Sequence, residues 1–168
     1  EPFYFGDEAW SHALRGRRVL IVHPFADTIR SQYAKHAAGK NLLWPEAVLP
    51  RDLDLVVVKA PSSLGRDANG TWSQALLDTE AAIDGAFPVD AALLGCGAYG
   101  LPLAAHVVSR GASAIYVGGG LQLLFGIMGK RWADRAEIMK VARASWVWPS
   151  PAETPPRAEV VEGGAYWG

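Results

Sequence analysis

Apolar residues in this chain alternate between short β-branched runs and longer segments with helical spacing. The short runs predict buried strands over residues 17–23, 53–59, 90–94 and 113–117. The run over 53–59 (LDLVVVK) has the composition of a strand buried on both faces. Helical spacing predicts helices over residues 7–14, 26–38, 71–84 and 101–110, and from Gly129 to about residue 143. Thr71 is the expected N-cap of the helix over 71–84.

This alternation of strands and helices fixes the predicted fold class. Strands that return to the same sheet through helices favour right-handed crossovers and parallel pairing. We therefore expect an α/β fold with a Rossmann-like open, mainly parallel sheet and helices on both faces. The proline-rich tail over 146–168 shows no periodicity and predicts an irregular, surface-wrapping segment, anchored by its aromatic residues Trp146, Trp148, Tyr166 and Trp167.

Composition narrows the function classes. The chain has 168 residues, of which 50% are hydrophobic, and a formal net charge of -1, which predicts one globular domain over residues 1–168. The basic residues are scattered, so nucleic acid is not an expected partner. A single cysteine, Cys96, excludes an internal disulfide, and no apolar run is long enough for a transmembrane segment. We expect a cytoplasmic protein, and the start at Glu1 is compatible with a fragment of a longer one.

A glycine motif follows the third predicted strand and opens a helix. Gly95, Gly97 and Gly100, with Ala98 and Tyr99 between them, match the dinucleotide fingerprint GxGxxG. Such glycines let backbone N–H groups and a helix N-terminus hold a phosphate. A tight turn without a ligand is the alternative. The acidic residue that would bind a ribose about 20 residues later is missing, which argues against an NAD enzyme and a methyltransferase.

A second glycine run follows the next strand. Parallel strands end at the same edge, so this run is expected to lie beside the first and to bind the same ligand. Lys130 and Arg131, which follow this run, are further candidates because their charges suit a diphosphate. His23 ends the first strand and suits the role of a base or a hydrogen-bond donor. The ligand-binding candidates are therefore Gly95, Gly97, Ala98, Tyr99, Gly100, Gly118, Gly119, Gly120, Lys130, Arg131 and His23.

Catalytic residues are not identified from spacing. The candidate acids do not form a metal or general acid/base motif, and no metal ligand is predicted from them: Asp27, Asp67, Glu80, Asp90 and Glu162. Ser62, Ser63 and Cys96 lack a nucleophile elbow and an evident base. Trp72 and Trp132 suit stacking on a base or sugar, or anchoring in the core.

Residues 93–132 and the ending over 161–167 (VEGGAYW) carry a family resemblance. The half from Leu93 to Trp132 resembles the carboxyl half of GT-D-type glycosyltransferases, and the Gly-Lys-Arg-Trp segment resembles that of GT-D-like microbial proteins. The resemblance implies a domain that binds a nucleotide diphosphate-sugar. It also implies a divalent metal, Mn²⁺ or Mg²⁺, on an acidic motif near the amino terminus if the domain is catalytic. Only Gly6-Asp7-Glu8 stands there, without the expected strand and arginine.

Two other functions stay open at this point. One is a nucleotide- or ligand-binding module without chemistry. The other is a homo-oligomerising module in which the apolar segment 121–128 and the tail tryptophans form the interface.

Overall fold

The computed structural model describes residues 9–40, 42–44, 48–61, 71–160 and 162–168. The described residues fall into two compact units. Unit 1 comprises the described parts of residues 1–15, 27–52 and 122–168, and unit 2 comprises residues 16–26 and the described parts of 53–121. That residues 1–168 act as one domain stays a prediction.

Unit 2 is built on a four-stranded parallel sheet. Its strands are β1 (Arg18–His23), β2 (Asp54–Lys59), β3 (Ala91–Leu94) and β4 (Ser113–Tyr116), in the order β2-β1-β3-β4. All three pairings are parallel, with Val19 opposite both Leu55 and Ala91. The predicted α/β class with a parallel sheet is confirmed, and each predicted strand end lies within one residue of the observed one.

The central strands are apolar because both of their faces are buried. On one face, residues of β1 and β3 pack with α2 (Trp72–Asp84) and α3 (Gly100–Ser109), and this core includes Leu20, Val22, Leu94, Ile83, Leu103 and Val107. Val19 and Ile21 point to the opposite face and are also fully buried. A strand covered on both faces needs an unbroken apolar run, and this is what residues 19–22 display.

Strand β2 corrects one prediction. It lies at the edge of the sheet, and only Val57 and Val58 of its six residues are buried. Because Val57 and Val58 are adjacent, they point to opposite faces of the sheet, so the predicted burial on both faces holds at these two residues and not along the rest of the strand. β-Branched residues fit an edge strand as well as a central one, so composition alone does not reveal strand order.

The helices agree with prediction near the sheet and depart from it further along the chain. Thr71 caps α2 by accepting a hydrogen bond from Gln74 N, as expected. The single helix predicted from Gly129 to residue 143 is instead α5 (Lys130–Ala133) and α6 (Ala136–Val141), separated by Arg135 in an extended conformation. The backbone N–H groups of Lys130 and Arg131 donate to carbonyls of Trp167 and Ala165, which fixes α5 against the tail.

Unit 1 contains the helices α5 and α6 and the tail. It also contains all but the first residue of α1 (Ala26–Ala37) and of the short α4 (Leu121–Leu124). The tail forms 3₁₀ turns at Pro151–Glu153, Ala158–Val160 and Glu162–Gly164. Trp146 and Trp167 are buried as expected of anchors, whereas Trp148 is 47% exposed. Of the helix predicted over 7–14, Trp10–Leu14 is a 3₁₀ helix and residues 7 and 8 lie outside the described part.

The apolar segment 121–128 is already buried within the chain. An interface formed by this segment would need those side chains at the surface, so this version of the oligomerisation hypothesis is wrong, and homo-oligomerisation by another surface stays a prediction. In the part of the chain that the structure describes, no helix is long and apolar enough to cross a bilayer.

Candidate functional site

Two glycine turns follow β3 and β4, and we call residues 95–100 and 118–120 together the glycine rim. Leu94 and Tyr116 are partners in the β3–β4 register, so the turns begin at the same level of the sheet. A Cβ atom built on Gly95 would lie 2.8 Å from the carbonyl oxygen of Gly118. The turns are therefore in direct contact, at the carboxyl ends of parallel strands where α/β folds bind ligands.

Two glycines of the rim are required by packing inside the protein. A Cβ on Gly95 would also lie 2.7 Å from Cδ2 of His23, and a Cβ on Gly100 would overlap the Tyr116 ring. Gly100 thus lets the start of α3 approach β4 closely, which is the role of the third glycine in the dinucleotide fingerprint. Neither position requires a ligand to explain its residue.

The other rim glycines have a different cause. Gly97 and Gly118 have φ of 56° and 72°, a region that favours glycine. Gly97 and Ala98 are exposed, and a Cβ on Gly118 would meet no described atom within 4 Å. The Tyr116 hydroxyl donates to the Gly97 carbonyl at 3.0 Å and holds this backbone in place. Gly119 and Gly120 are partly exposed, so both turns offer backbone to a ligand.

His23 ends β1 and is 3% exposed. Its Nδ1 accepts a hydrogen bond from Phe25 N at 3.0 Å, so the neutral ring carries its proton on Nε2. Burial lowers the pKa of His23 to about 3. The ring is therefore neutral near pH 7 and suited to donate a hydrogen bond through Nε2 rather than to exchange protons.

An aromatic pair flanks the glycine motif. The Trp72 and Tyr99 rings are stacked, with centroids 5.3 Å apart and planes 14° apart. Tyr99 is buried, whereas Trp72 is 47% exposed at the start of α2. Trp132 is buried against Tyr166 and serves as an anchor. Of the two tryptophans proposed for stacking on a base or sugar, only Trp72 has a ring face exposed for that contact.

The remaining polar candidates give no sign of a catalytic group in the described residues. Burial raises the pKa of the Cys96 thiol to about 12, so the nucleophilic thiolate is suppressed. The Asp90 carboxylate accepts from Arg18 N at 2.8 Å, and Asp27 pairs with Arg30 at 2.7 Å. Asp67, Ser62, Ser63, residues 6–8 and the Glu162 side chain lie outside the described residues. Within the described ranges, no three His, Cys, Asp or Glu side chains are grouped so as to hold a metal ion.

Lys130 and Arg131 belong to unit 1. Both are exposed, and Arg131 donates to the Tyr166 hydroxyl at 2.9 Å with its guanidinium 5.8 Å from that ring's centroid. The tail thus supplies a partner for Arg131. Contact of either cation with a ligand of the glycine rim stays a prediction.

One buried carboxylate was not among the candidates. Glu153 is 6% exposed and accepts from Asp27 N at 2.7 Å, from Thr28 N at 3.3 Å and from the Thr28 hydroxyl. Its carboxylate therefore occupies the N-terminus of α1, where the helix dipole favours an anion. Residues 27 and 153 are 126 positions apart, and nothing in the proline-rich tail signals this pairing.

Comparison of the chain with protein-family models, with curated proteins and with solved structures finds no match.

Proposed function

We propose that the glycine rim binds the diphosphate of a nucleotide diphosphate-sugar, in a glycosyltransferase-like domain. The observation that carries the proposal is the pair Gly97 and Gly118, which have positive φ on contacting turns at the carboxyl ends of neighbouring parallel strands. Turns of this kind present backbone N–H groups to an anion, and α3 adds the positive end of its dipole.

Residues beside the glycine rim fit other parts of such a ligand. The exposed ring of Trp72 is suited to stack on the base or the sugar, supported from behind by Tyr99. The neutral His23 ring, which is 3% exposed, would donate from Nε2 to a phosphate or a sugar hydroxyl that reaches it, without adding charge. The overall affinity would therefore depend on backbone N–H groups and stacking.

Transfer of the sugar would need stabilisation of the leaving diphosphate by a cation. A divalent metal, Mn²⁺ or Mg²⁺, would supply this charge when bound. The described residues do not group three His, Cys, Asp or Glu side chains that could hold such an ion. The cytoplasm is the proposed compartment.

A specific observation favours a second function, in which the rim binds its ligand without turnover. Cys96 in the rim has nucleophilic capacity and His23 beside the rim has acid/base capacity, and burial holds both in their neutral forms. A proton-transfer catalyst works best with a pKa near the working pH. Neither group meets that condition.

The first experiment separates ligand binding from backbone strain. Calorimetric and thermal-shift titrations with nucleotides and nucleotide-sugars, with and without Mn²⁺, would compare Gly97→Val with Gly111→Val. Gly111 is an exposed glycine of the same unit with a positive φ of 90° and no described atom near its Cβ position, so its variant controls for the strain of a valine at positive φ. The proposal expects one ligand to stabilise wild type and Gly111→Val but not Gly97→Val. Equal loss in both variants, or no ligand at all, contradicts it.

The second experiment tests the stacking residue. Trp72→Ala should weaken ligand binding about tenfold, as loss of base stacking does, and Trp72→Phe should restore most of it. Trp148→Ala is the matched control because Trp148 is also 47% exposed. A turnover assay on the ligand found, measuring sugar release with Mn²⁺, then distinguishes a transferase from a binding module.

A further inference from the structure

Unit 1 contains a cavity of about 660 Å³ that is separate in its residues from the glycine rim. Its described lining comes from the last turns of α1, from residues 40 and 42 and from the segment after α6. The lining residues are Gln32, Lys35, Lys40, Leu42, Arg143, Ala144, Ser145 and Val147. We call it the cationic cavity. Its volume is within the range of small-molecule sites.

All charged side chains in the described lining of the cavity are positive: Lys35, Lys40 and Arg143. The ion pairs found among the described residues involve other cations, namely Arg18, Arg30, His106 and Arg110. In a chain with a formal net charge of -1, three cations around one cavity form a local excess of positive charge. Such an excess attracts anions and repels cations.

The backbone around the cavity is held by hydrogen bonds through a buried amide. Gln32 is 1% exposed, and its Nε2 donates to the carbonyls of Ser145 at 2.9 Å, Gly126 at 3.3 Å and Phe125 at 3.4 Å. The Ser145 hydroxyl donates to the Leu42 carbonyl at 2.7 Å. These bonds hold the backbone segments that carry the three cations beside one another before any ligand binds. Preorganisation of this kind lowers the entropic cost of binding.

We propose that the cationic cavity is a binding site for a small molecule that carries two or more phosphate charges. The guanidinium of Arg143 can bind phosphate oxygens in a bidentate manner, and the two lysines act as mobile point charges. Leu42, which is 42% exposed, and Val147 offer apolar contact to the organic part of such a molecule. This site does not depend on the proposed function, since it shares no residue with the glycine rim.

Inorganic pyrophosphate is the probe for this site. Titration of the full chain would be followed by calorimetry and by NMR of the Gln32 side-chain amide, a reporter inside the cavity. We expect a saturable shift of this resonance that weakens as salt is raised, because the cavity is open to solvent. Lys35→Gln and Arg143→Gln should each weaken binding about fivefold, and the triple variant with Lys40→Gln should abolish it.

Matched controls separate this site from surface charge and from the rim. Lys140→Gln removes an exposed lysine of unit 1 that does not line the cavity and should leave the affinity unchanged. Gly97→Val should leave the Gln32 shift intact even if it removes nucleotide binding. Unchanged affinity in the triple variant, a Gln32 resonance that does not move, or tighter binding of citrate than of pyrophosphate would each overturn the assignment. Because Lys35, Lys40 and Arg143 are exposed, replacing them with glutamine should not disturb the core. Melting temperatures equal to that of wild type would confirm that the variants are folded.

Discussion

The turns after β1 and β3 both lead from a parallel strand into a helix, and they differ in what meets the helix N-terminus. After β1, the first amides of α1 are bound by the buried carboxylate of Glu153. After β3, the chain enters α3 through glycines, and Gly97 and Ala98 are exposed. One helix start is therefore neutralised by an anion of the chain itself, whereas the other presents exposed backbone.

This difference indicates which turn is suited to a ligand. Every strand end of a parallel sheet that leads into a helix is a possible anion site, because the helix dipole and unpaired N–H groups favour negative charge there. A carboxylate already bound at α1 satisfies those groups. The exposed turn at α3, beside Gly118, is the better candidate, and the variants below test each half of this contrast.

The largest effect is expected at Gly95, where the turn after β3 packs against His23 and the turn after β4. Gly95→Ala places a Cβ against His23 Cδ2 and the Gly118 carbonyl, at 2.7 and 2.8 Å, and overpacking of this kind should cost about 3 kcal/mol of unfolding free energy. Gly85→Ala is the control, since its φ is -66° and its Cβ would make ordinary contacts at 3.5 Å or more. Chemical denaturation measures both. Equal stability of the two variants would show that the β3 turn is not closely packed.

The second effect concerns the N-terminus of α1, where the carboxylate of Glu153 is bound. Glu153→Gln keeps the shape of the side chain but removes the charge that α1 binds, and should lower the unfolding free energy by about 2 kcal/mol. Glu137→Gln, at an exposed position, should change it by less than about 0.5 kcal/mol. If both variants unfold at the same denaturant concentration as wild type, the carboxylate does not stabilise α1.

The third effect is a pH dependence from His23. Its pKa is about 3 in the folded state and 6.5 in the reference state, so below pH 6.5 only the unfolded chain binds this proton. The unfolding free energy is therefore unaffected by this group at higher pH and falls as the pH drops below 6.5. The loss should reach roughly 1 kcal/mol one pH unit lower. NMR of the His23 ring should show a neutral Nε2–H form throughout this range, and titration near 6.5 would contradict the buried geometry.

The smallest effect concerns the reactivity of the Cys96 thiol, which should be low in the folded protein. Its raised pKa and burial predict that a thiol reagent modifies the folded protein at mildly alkaline pH far more slowly than the denatured chain. Modification at the same rate in both states would mean that the glycine turn opens readily, which would weaken its contrast with the β1 turn.

Local sequence predicted the parts of the site that are contiguous in the chain. The motif from Gly95 to Gly100 and the run from Gly118 to Gly120 were identified from their place after apolar strands, because strand period and turn chemistry are local properties. The same reasoning did not separate Gly95 and Gly100, which serve packing, from Gly97 and Gly118, which serve backbone conformation. Only neighbours from other segments distinguish them.

The sequence by itself determined the fold class, the strand ends to within a residue and the cap of α2, since periodicity and capping act over a few positions. Tertiary structure alone decided that β2 is an edge strand and that Glu153 binds the N-terminus of α1. It alone also placed Lys35, Lys40 and Arg143 around one cavity. These features join residues far apart in the chain. Charges and carboxylates have no period that marks their partners, so their roles arise only when the folded chain brings them together.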